Sequence, residues 1–193
     1  MKRSELAVVL FSAAYVSIAT PFALRSTNSE FVFYIAVMVG LGALIWVVHR
    51  RVDLTLATLW GLSAWGLAHM LGGLWTVSEE TGVLYNLWLI PQRLKYDQLV
   101  HAFGFGLSTW VCWQALRRSL RVQAPTPGLI FLCVLGGMGL GAFNEIVEFV
   151  ATLTVPETNV GGYVNTGWDL VSNAVGAVIA GTLILVRGRR DAA

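Results

Sequence analysis

Charged residues are scarce in this chain. Asp, Glu, Lys and Arg together make up 12% of its 193 residues, whereas hydrophobic residues make up 56%. An ordinary soluble domain carries about 25% charged and about 45–50% apolar residues. So few charges cannot cover the surface of a water-soluble globule of this length, and the mean hydropathy of +0.67 agrees. The composition excludes a soluble enzyme or a nucleic-acid-binding protein and predicts a membrane protein.

Cysteine is nearly absent as well. The sequence has Cys112 and Cys133, and each lies within an apolar run. A disulfide framework or a thiolate zinc site needs more cysteines at closer spacing. We therefore interpret both residues as small buried hydrophobic side chains.

Six long apolar stretches dominate what is present. A helix needs about 20 mainly apolar residues to cross about 30 Å of hydrocarbon. The stretches that qualify are Leu6–Leu24, Phe31–Val48, Leu54–Trp75, Asp97–Leu116, Gly128–Val155 and Gly167–Val186. The first has the basic start of a signal peptide, but it is long enough to span a bilayer, so we interpret it as a helix. The sequence predicts an all-α polytopic membrane protein, a bundle of six transmembrane helices forming a single domain over residues 1–193.

The basic residues predict the orientation of this bundle. With six crossings, ten of the 13 Lys and Arg residues fall on one side: Lys2, Arg3, Arg50, Arg51, Arg117, Arg118, Arg121, Arg187, Arg189 and Arg190. Arg25, Arg93 and Lys95 fall on the other side. Basic residues are enriched in cytoplasmic loops. Both termini are therefore predicted to be cytoplasmic, in a protein of the cell (inner) membrane.

Ionisable and amide side chains recur inside the last four stretches. They are His69, Asp97, His101, Asn144, Glu145, Glu148, Asp169 and Asn173. Residues 97 and 101, 169 and 173, and 145 and 148 are spaced to share one helix face. Counting 1.5 Å per residue from the outer ends places groups of all four stretches in the outer half of the bilayer, with Glu145 near the midplane. Since such groups are expensive in a membrane and commonly functional, we predict one site open to the outer face.

The residue types in this predicted site are those of a metal centre. Imidazole and carboxylate groups on facing helices can hold one or two divalent cations, with Zn, Mn or Fe favoured over Mg when histidine takes part. A cation would also neutralise acids that cannot all stay ionised in a medium of low dielectric constant. The predicted ligands are His69, Asp97, His101, Glu145, Glu148 and Asp169, with Asn144 and Asn173 as further cofactor-binding residues.

A structural interpretation stays open for several of these groups. His69 alone could be a packing histidine, and Asp97 and Asp169 could cap helices. The two asparagines could join helices by hydrogen bonds. The connection Thr76–Tyr96 is too apolar for a solvated loop and too short for a span, which predicts a re-entrant or interfacial segment over the site.

Three motifs carry a resemblance to known families: YDQLVHAFGFG from Tyr96, NEIVEF from Asn144 and GWDLVSNAVGA from Gly167. In this combination the chain resembles the YjdF-like bacterial inner-membrane proteins and, more distantly, the VanZ-like membrane proteins. The resemblance covers about the last half of the chain. It implies a shared site but no particular reaction, with signature positions at Asp97, His101, Glu145, Glu148, Asp169, Asn173 and Gly176.

Three classes of function fit these observations. We predict a metal-dependent membrane hydrolase acting on a lipid or lipid-linked substrate from the outer leaflet, with catalytic residues Asp97, His101, Glu145, Glu148 and Asp169. A cation or proton transporter could use the same acids as a relay, although the inner halves of all six stretches are apolar. A structural or assembly subunit with a buried polar network is the third. Membrane lipids are the expected partners, nucleic acid is not, and the bundle also suits a homo-oligomer.

Overall fold

Six long helices and two short hairpins make up the described part of the chain. The computed structural model describes residues 2–25, 30–156 and 158–190, without the side chains of Phe31, Arg189 and Arg190. The side chains of Arg189 and Arg190, which are predicted to be cytoplasmic, thus lie outside the described part. The helices are α1 (Arg3–Arg25), α2 (Glu30–Val52), α3 (Leu56–Leu74), α4 (Tyr96–Ser119), α5 (Pro127–Thr154) and α6 (Tyr163–Arg190). The chain is 80% helical, which confirms the predicted predominance of helix.

Four of the described helices have the length and composition to cross a membrane. They are α1, α2 from Val32, α5, and α6 up to Gly188. Their surfaces are apolar to a degree that water would not tolerate: the side chains of Phe22, Phe131 and Leu153 are each more than 60% exposed. Lipid solvates such side chains without penalty, whereas a soluble monomer rarely exposes so many of them together.

The helices begin and end at residues that satisfy the free backbone groups there. Thr126 precedes α5 and its hydroxyl accepts a hydrogen bond from the backbone N–H of Leu129 at 3.3 Å, with Pro127 at the first helical position. Both features are typical of helix starts. At the end of α2, Asp53 adopts a positive φ of 54°, which turns the chain sharply into α3.

The connection between α3 and α4 folds as two antiparallel hairpins. The first pairs β1 (Thr76–Ser78) with β2 (Gly82–Val83), and the second pairs β3 (Trp88–Ile90) with β4 (Leu94–Lys95). A single 3₁₀ turn, Leu84–Asn86, separates them. The side chains of β3 are all more than 40% exposed. An exposed apolar strand would suit the membrane–water boundary, and the re-entrant or interfacial placement of this segment stays a prediction.

Helices α4, α5 and α6 pack closely against one another because small residues lie at their contacts. A Cβ atom on Gly176 of α6 would overlap the backbone carbonyl of Ala102 on α4, and one on Gly137 of α5 would overlap the hydroxyl of Thr109. Small residues at such positions let helix backbones approach in a membrane. The same three helices also share a buried apolar core, which contains Trp113, Cys133 and Ile184.

Helices α1 and α3 form the second packed unit, and the last part of α2, up to Val52, packs against it. Val8, Leu59 and Leu62 are buried between α1 and α3. Among the described residues of α2, only Glu30 and His49, near its two ends, are buried. A Cβ atom on Gly40 or Gly42 in the middle of α2 would meet no other atom within 4 Å. Both glycines are exposed, whereas Met38 in the middle of α2 reaches Gly66 of α3.

The two ends of the bundle differ in charge. Lys2, Arg50, Arg51 and Arg118 surround one cavity of about 400 Å³, and we refer to this as the basic end. The opposite end carries the hairpins over residues 76–95, and we refer to it as the hairpin end.

The half of the bundle toward the basic end is not purely apolar, contrary to the expectation from the sequence. Ser12 and Ser63 share a hydrogen bond of 2.6 Å, and the Gln114 amide donates to Thr58 at 2.6 Å. Glu5 is also buried there. Hydroxyl and amide side chains can satisfy one another between helices, so they are tolerated within runs whose average hydropathy is high.

Candidate functional site

His101 lies at the centre of the polar side chains that the sequence singled out. It is on α4, one turn after Asp97, and its side chain is only 1% exposed. Helix α5 contributes Glu145 and Glu148, each with a carboxylate oxygen within 4.0 Å of the His101 ring. Helix α6 contributes Asp169 and Asn173, both 1% exposed. The structure therefore brings together residues from α4, α5 and α6, which we call the acidic cluster: Asp97, His101, Asn144, Glu145, Glu148, Asp169 and Asn173.

The two ring nitrogens of His101 face different partners. Nδ1 lies 3.1 Å from Oδ1 of Asn173 and 3.5 Å from Oε1 of Glu145. Because Oδ1 of Asn173 lies closer to the ring than any carboxylate oxygen that pairs with it, we assign the proton of the neutral ring to Nδ1. Nε2 then carries a lone pair, 3.5 Å from Oδ1 of Asp97 and 4.0 Å from Oε1 of Glu148. Metal-binding histidines have this arrangement, with one N–H held by an acceptor and the other nitrogen directed to the ion.

Asn165 joins the carboxylates of α4 and α6. Its Nδ2 donates to Oδ2 of Asp169 at 2.6 Å and lies 3.4 Å from Oδ2 of Asp97, which it also donates to. Helix α6 begins at Tyr163, so Asp169 lies in its second turn and does not cap the helix. The residue that caps α4 is Lys95, and Asp97 lies in the first turn. The helix-capping interpretation of the two aspartates is thus wrong.

Several buried polar atoms of the acidic cluster have no hydrogen-bond partner within the described part of the chain. They are both carboxylate oxygens of Glu145, Oδ1 of Asp169 and Nδ2 of Asn173. Buried polar atoms are nearly always paired, so each exception requires an explanation. Among the described residues, His101 is the only base that forms an ion pair with the acidic cluster, and it approaches three of the four carboxylates, those of Asp97, Glu145 and Glu148. A cation between the helices would supply partners for the oxygens and reduce their mutual repulsion.

Two groups of side chains in the acidic cluster are close enough to hold a metal ion. One comprises Asp97, His101 and Asp169, and the other comprises His101, Glu145 and Glu148. Within each group the potential ligand atoms lie within 4.8 Å of one another. A histidine with two carboxylates is a donor set that suits Zn, Mn or Fe. The Asn144 amide donates to Oε1 of Glu148 at 2.8 Å and so holds one carboxylate of the second group.

His69 adjoins the acidic cluster and is engaged by a residue of the connection between the hairpins. Its ring centre lies 6.2 Å from that of His101, and it belongs to neither metal-capable group. The Tyr85 hydroxyl donates to the His69 carbonyl at 3.1 Å and lies 2.6 Å from Nδ1 of His69. Burial, together with the charges of Asp97 and Glu148, raises the pKa of the Tyr85 phenol well above its ordinary value. The phenol therefore keeps its proton and accepts from His69 Nδ1–H, which leaves Nε2 of His69 with a lone pair.

A cavity of about 670 Å³ leads from the acidic cluster into the bundle. Asp97, Glu148 and His69 line it near the hairpin end, and Glu5 lines it near the basic end. Between these ends its walls come from α1, α2 and α3. At the hairpin end, α2 is fastened by Glu30, whose two carboxylate oxygens accept from the backbone N–H of Asn159 at 2.8 Å and from its side-chain amide at 2.7 Å.

The sequence did not single out Tyr85, Asn165 or Glu30 as parts of this region. Asn165 precedes Asp169 by four residues, so the helical spacing was present, but the apolar stretch was taken to begin at Gly167. Tyr85 lies opposite Gly72, where a Cβ atom would overlap the tyrosine ring. No local sequence pattern predicts such a contact between a loop tyrosine and a helix glycine. Glu30 contacts a residue 129 positions away, which a single sequence cannot indicate.

Comparisons with known proteins identify a family for the whole chain. No curated protein and no solved structure is similar to it. A family model described as "predicted membrane protein" matches residues 5–190, and that range includes the acidic cluster, the hairpins and all but the outermost residues of the helices. The chain therefore belongs to the DUF2238 family of predicted membrane proteins.

Proposed function

We propose that this integral membrane protein is a metal-dependent hydrolase that acts on a lipid or lipid-linked substrate. The observation that supports the proposal is the acidic cluster: four carboxylates from three helices meet around His101, and three of their buried oxygens have no hydrogen-bond partner among the described residues. An arrangement of this kind is unfavourable in a low dielectric without a cation.

The geometry supports a division of roles among these residues. A divalent ion would be held by Nε2 of His101 and by the carboxylates of Asp97 and Asp169, while Asn173 orients the ring through Nδ1. A bound divalent ion supplies an activated water molecule at neutral pH. Glu148 lines the cavity and lies 4.0 Å from Nε2, so it is the carboxylate best placed to accept a proton from that water.

The finer topology belongs to the same proposal. All six helices cross the cell membrane, with the basic end and both termini in the cytoplasm and the hairpin end outside. The grouping of Lys2, Arg50, Arg51 and Arg118 around one cavity supports this orientation. Membrane lipids are then the partners, and nucleic acid is not. Kinship with the YjdF-like and VanZ-like proteins is likewise proposed, supported by the fact that the signature positions Asp97, His101 and Asn173 lie in the acidic cluster.

Metal analysis of matched variants tests the proposal. Purified protein in detergent should contain a stoichiometric transition metal, measured by inductively coupled plasma mass spectrometry. Asp169→Asn and His101→Ala should lose it, Glu148→Gln should retain most of it, and Glu79→Gln, which changes an exposed carboxylate on the first hairpin, should match wild type. A metal-free wild-type protein that tolerates all of these substitutions would refute the hydrolase and favour a structural polar network.

A cation or proton transporter is the second candidate, favoured by one observation. The cavity reaches from Asp97 to Glu5 near the basic end, so polar groups line both of its ends. Reconstituted protein should then move cations or protons across liposome membranes, and Glu5→Gln should abolish that movement. Bound metal without transport in the same preparation would support the hydrolase instead.

A further inference from the structure

The cavity beside the acidic cluster has the walls and the length of a lipid-chain site. We propose that it binds one acyl chain of a membrane lipid ester, with the ester carbonyl at Asp97 and Glu148. The chemistry at the polar end rests on the proposed hydrolase, whereas binding of the chain itself requires no metal.

The walls of the cavity are apolar along most of its length. Val8 and Val16 of α1, Ile35 and Met38 of α2, and Leu59 and Leu62 of α3 line it. The hydroxyls of Ser12 and Ser63, which also line it, satisfy each other at 2.6 Å. A volume of about 670 Å³ is within the range of pockets that hold small apolar ligands. A chain of methylene groups would therefore meet mainly apolar side chains along this wall.

The length of the cavity suits a chain from one leaflet. Glu30 and Trp46 both line it, and 16 residues of helix between them rise about 24 Å at 1.5 Å per residue. One leaflet contributes about 15 Å of the hydrocarbon core. A chain that starts beside Asp97 would thus end before the buried carboxylate of Glu5.

Helix α2 forms one wall of the cavity in which the acyl chain would bind. A Cβ atom on Gly42, which lines the cavity, would meet no atom within 4 Å. Helix α2 is buried at Glu30 and His49 near its ends, with no buried side chain between them among the described residues. Protein interiors are normally close-packed, so an apolar space of this size inside a membrane bundle is one that lipid would fill.

The polar end fits a carbonyl group better than a phosphate. Phosphate recognition relies on Arg or Lys, and among the described residues neither type forms an ion pair with the carboxylates of the acidic cluster. The ammonium of Lys95 lies 3.5 Å from Oδ1 of Asn165 and is also over the Trp88 ring. A neutral ester brings no charge to four acids. Its carbonyl oxygen can be polarised by a metal ion, as the proposed function requires.

The reaction at this position is ester hydrolysis. The oxygen of water forms a bond to the carbonyl carbon while Glu148 takes the water proton. The bond from that carbon to the alcohol oxygen then breaks, and the proton passes to the departing alkoxide. The products are a fatty acid, whose chain occupies the cavity, and an alcohol.

Photolabelling with a matched pair of glycine variants tests the chain site. A palmitoyl glycerolipid with a diazirine near the methyl end of its chain should label α1 and α2 saturably in liposomes, mapped by mass spectrometry. Gly42→Leu fills the cavity and should weaken labelling about tenfold, because each displaced methylene group contributes about fourfold in affinity. Gly40→Leu, on the same helix but not in the cavity wall, should label like wild type. Neither leucine meets a neighbouring atom at Cβ, so both variants should fold.

The outcomes separate the chain site from the hydrolase. Equal labelling of the two variants, or stronger competition by a polyprenol than by the palmitoyl lipid, would overturn the acyl-chain site. If metal-free wild-type protein is still labelled in the cavity, the hydrolase is refuted and the acyl-chain site stands. If metal-bound protein is not labelled there, the acyl-chain site is refuted and the hydrolase stands. Release of the labelled fatty acid by wild type but not by Glu148→Gln would support both.

Discussion

At the scale of single residues, the environment of His101 depends on Asn173. The asparagine oxygen lies 3.1 Å from Nδ1, and Asn173 itself is 1% exposed, so it has little freedom to move away. A buried acceptor at this position fixes both the tautomer and the orientation of the ring. Second partners of metal-binding histidines commonly have this effect.

Replacement of Asn173 should therefore weaken metal binding without removing a ligand. We expect Asn173→Leu, which keeps the approximate volume, to lower metal affinity about 10- to 100-fold, because the ring loses the acceptor that orients it. Competition against a chromogenic chelator measures the change. Ser172→Ala alters the neighbouring residue on α6, whose hydroxyl bonds to the Trp168 carbonyl, and serves as the control. Unchanged affinity in Asn173→Leu would show that His101 is not a ligand.

At the scale of elements, the crossing of α4 and α6 determines whether the acidic cluster can form. Gly176 packs directly on the backbone of Ala102, and Gly106 on α4 faces the Gly176 carbonyl. Ala102 is the residue after His101, and Gly176 lies about one turn after Asn173. Any increase in the distance between the two helices would separate the histidine from its acceptor.

A single methyl group at this crossing should be destabilising. We expect Gly176→Ala to lower the free energy of unfolding by about 1–3 kcal/mol, since the new Cβ would overlap backbone that cannot rotate away. Thermal unfolding in detergent measures the effect. Gly167→Ala on the same helix, where a Cβ would meet nothing within 4 Å, should be neutral or slightly stabilising. Equal melting temperatures for the two variants would contradict the close packing of α4 on α6.

The sequence predicts elements well where apolar runs are continuous and poorly where contacts are distant. The run from Gly128 to Val155 nearly coincides with α5, because composition and helical periodicity are local properties. The sequence predicts the pairing of His101 with residues of α5 and α6 from two local signals, the helical spacing that puts polar groups on one face and their similar depth in the bilayer. Tyr85 was missed because its position depends on the fold of two hairpins and on the space opposite Gly72. The cavity lined by α1, α2 and α3 was missed because a single sequence does not show where packed helices leave space between them.

At the scale of the whole molecule, the distribution of basic residues determines a testable topology. Reporter fusions at Glu80, in the first hairpin, and at Val160, between α5 and α6, should both read as external, since these connections carry few basic residues. A fusion in the Arg117–Pro127 connection should read as cytoplasmic and is the internal control. Alkaline phosphatase and fluorescent-protein reporters give the two readouts. A cytoplasmic result at either outer position would eliminate the proposal of six crossings.

Removal of metal should affect the stability of the whole bundle. A bound ion would connect α4, α5 and α6 through their acids, so its loss leaves several carboxylates to repel one another in a low dielectric. We expect a strong chelator to lower the melting temperature of the purified protein at neutral pH, and added Zn or Mn to restore it. His101→Ala should melt at the same temperature with and without chelator. If the melting temperature of wild type also stays the same with and without chelator, the ion has no structural role.

The contact between Glu30 and Asn159 has a consequence for how the protein is made. Asn159 follows Glu30 by 129 residues, so the ribosome completes α1 through α5 before the partner of Glu30 is synthesised. Helix α2 can take its final position only after the connection between α5 and α6 has passed through the membrane. A nascent chain that stops at residue 156 should therefore leave the Glu30 end of α2 without this contact, and a cysteine introduced by Ile35→Cys should react faster with an impermeant maleimide than it does in the full chain. Equal reactivity in the two chains would mean that α2 docks before the last helix pair is inserted.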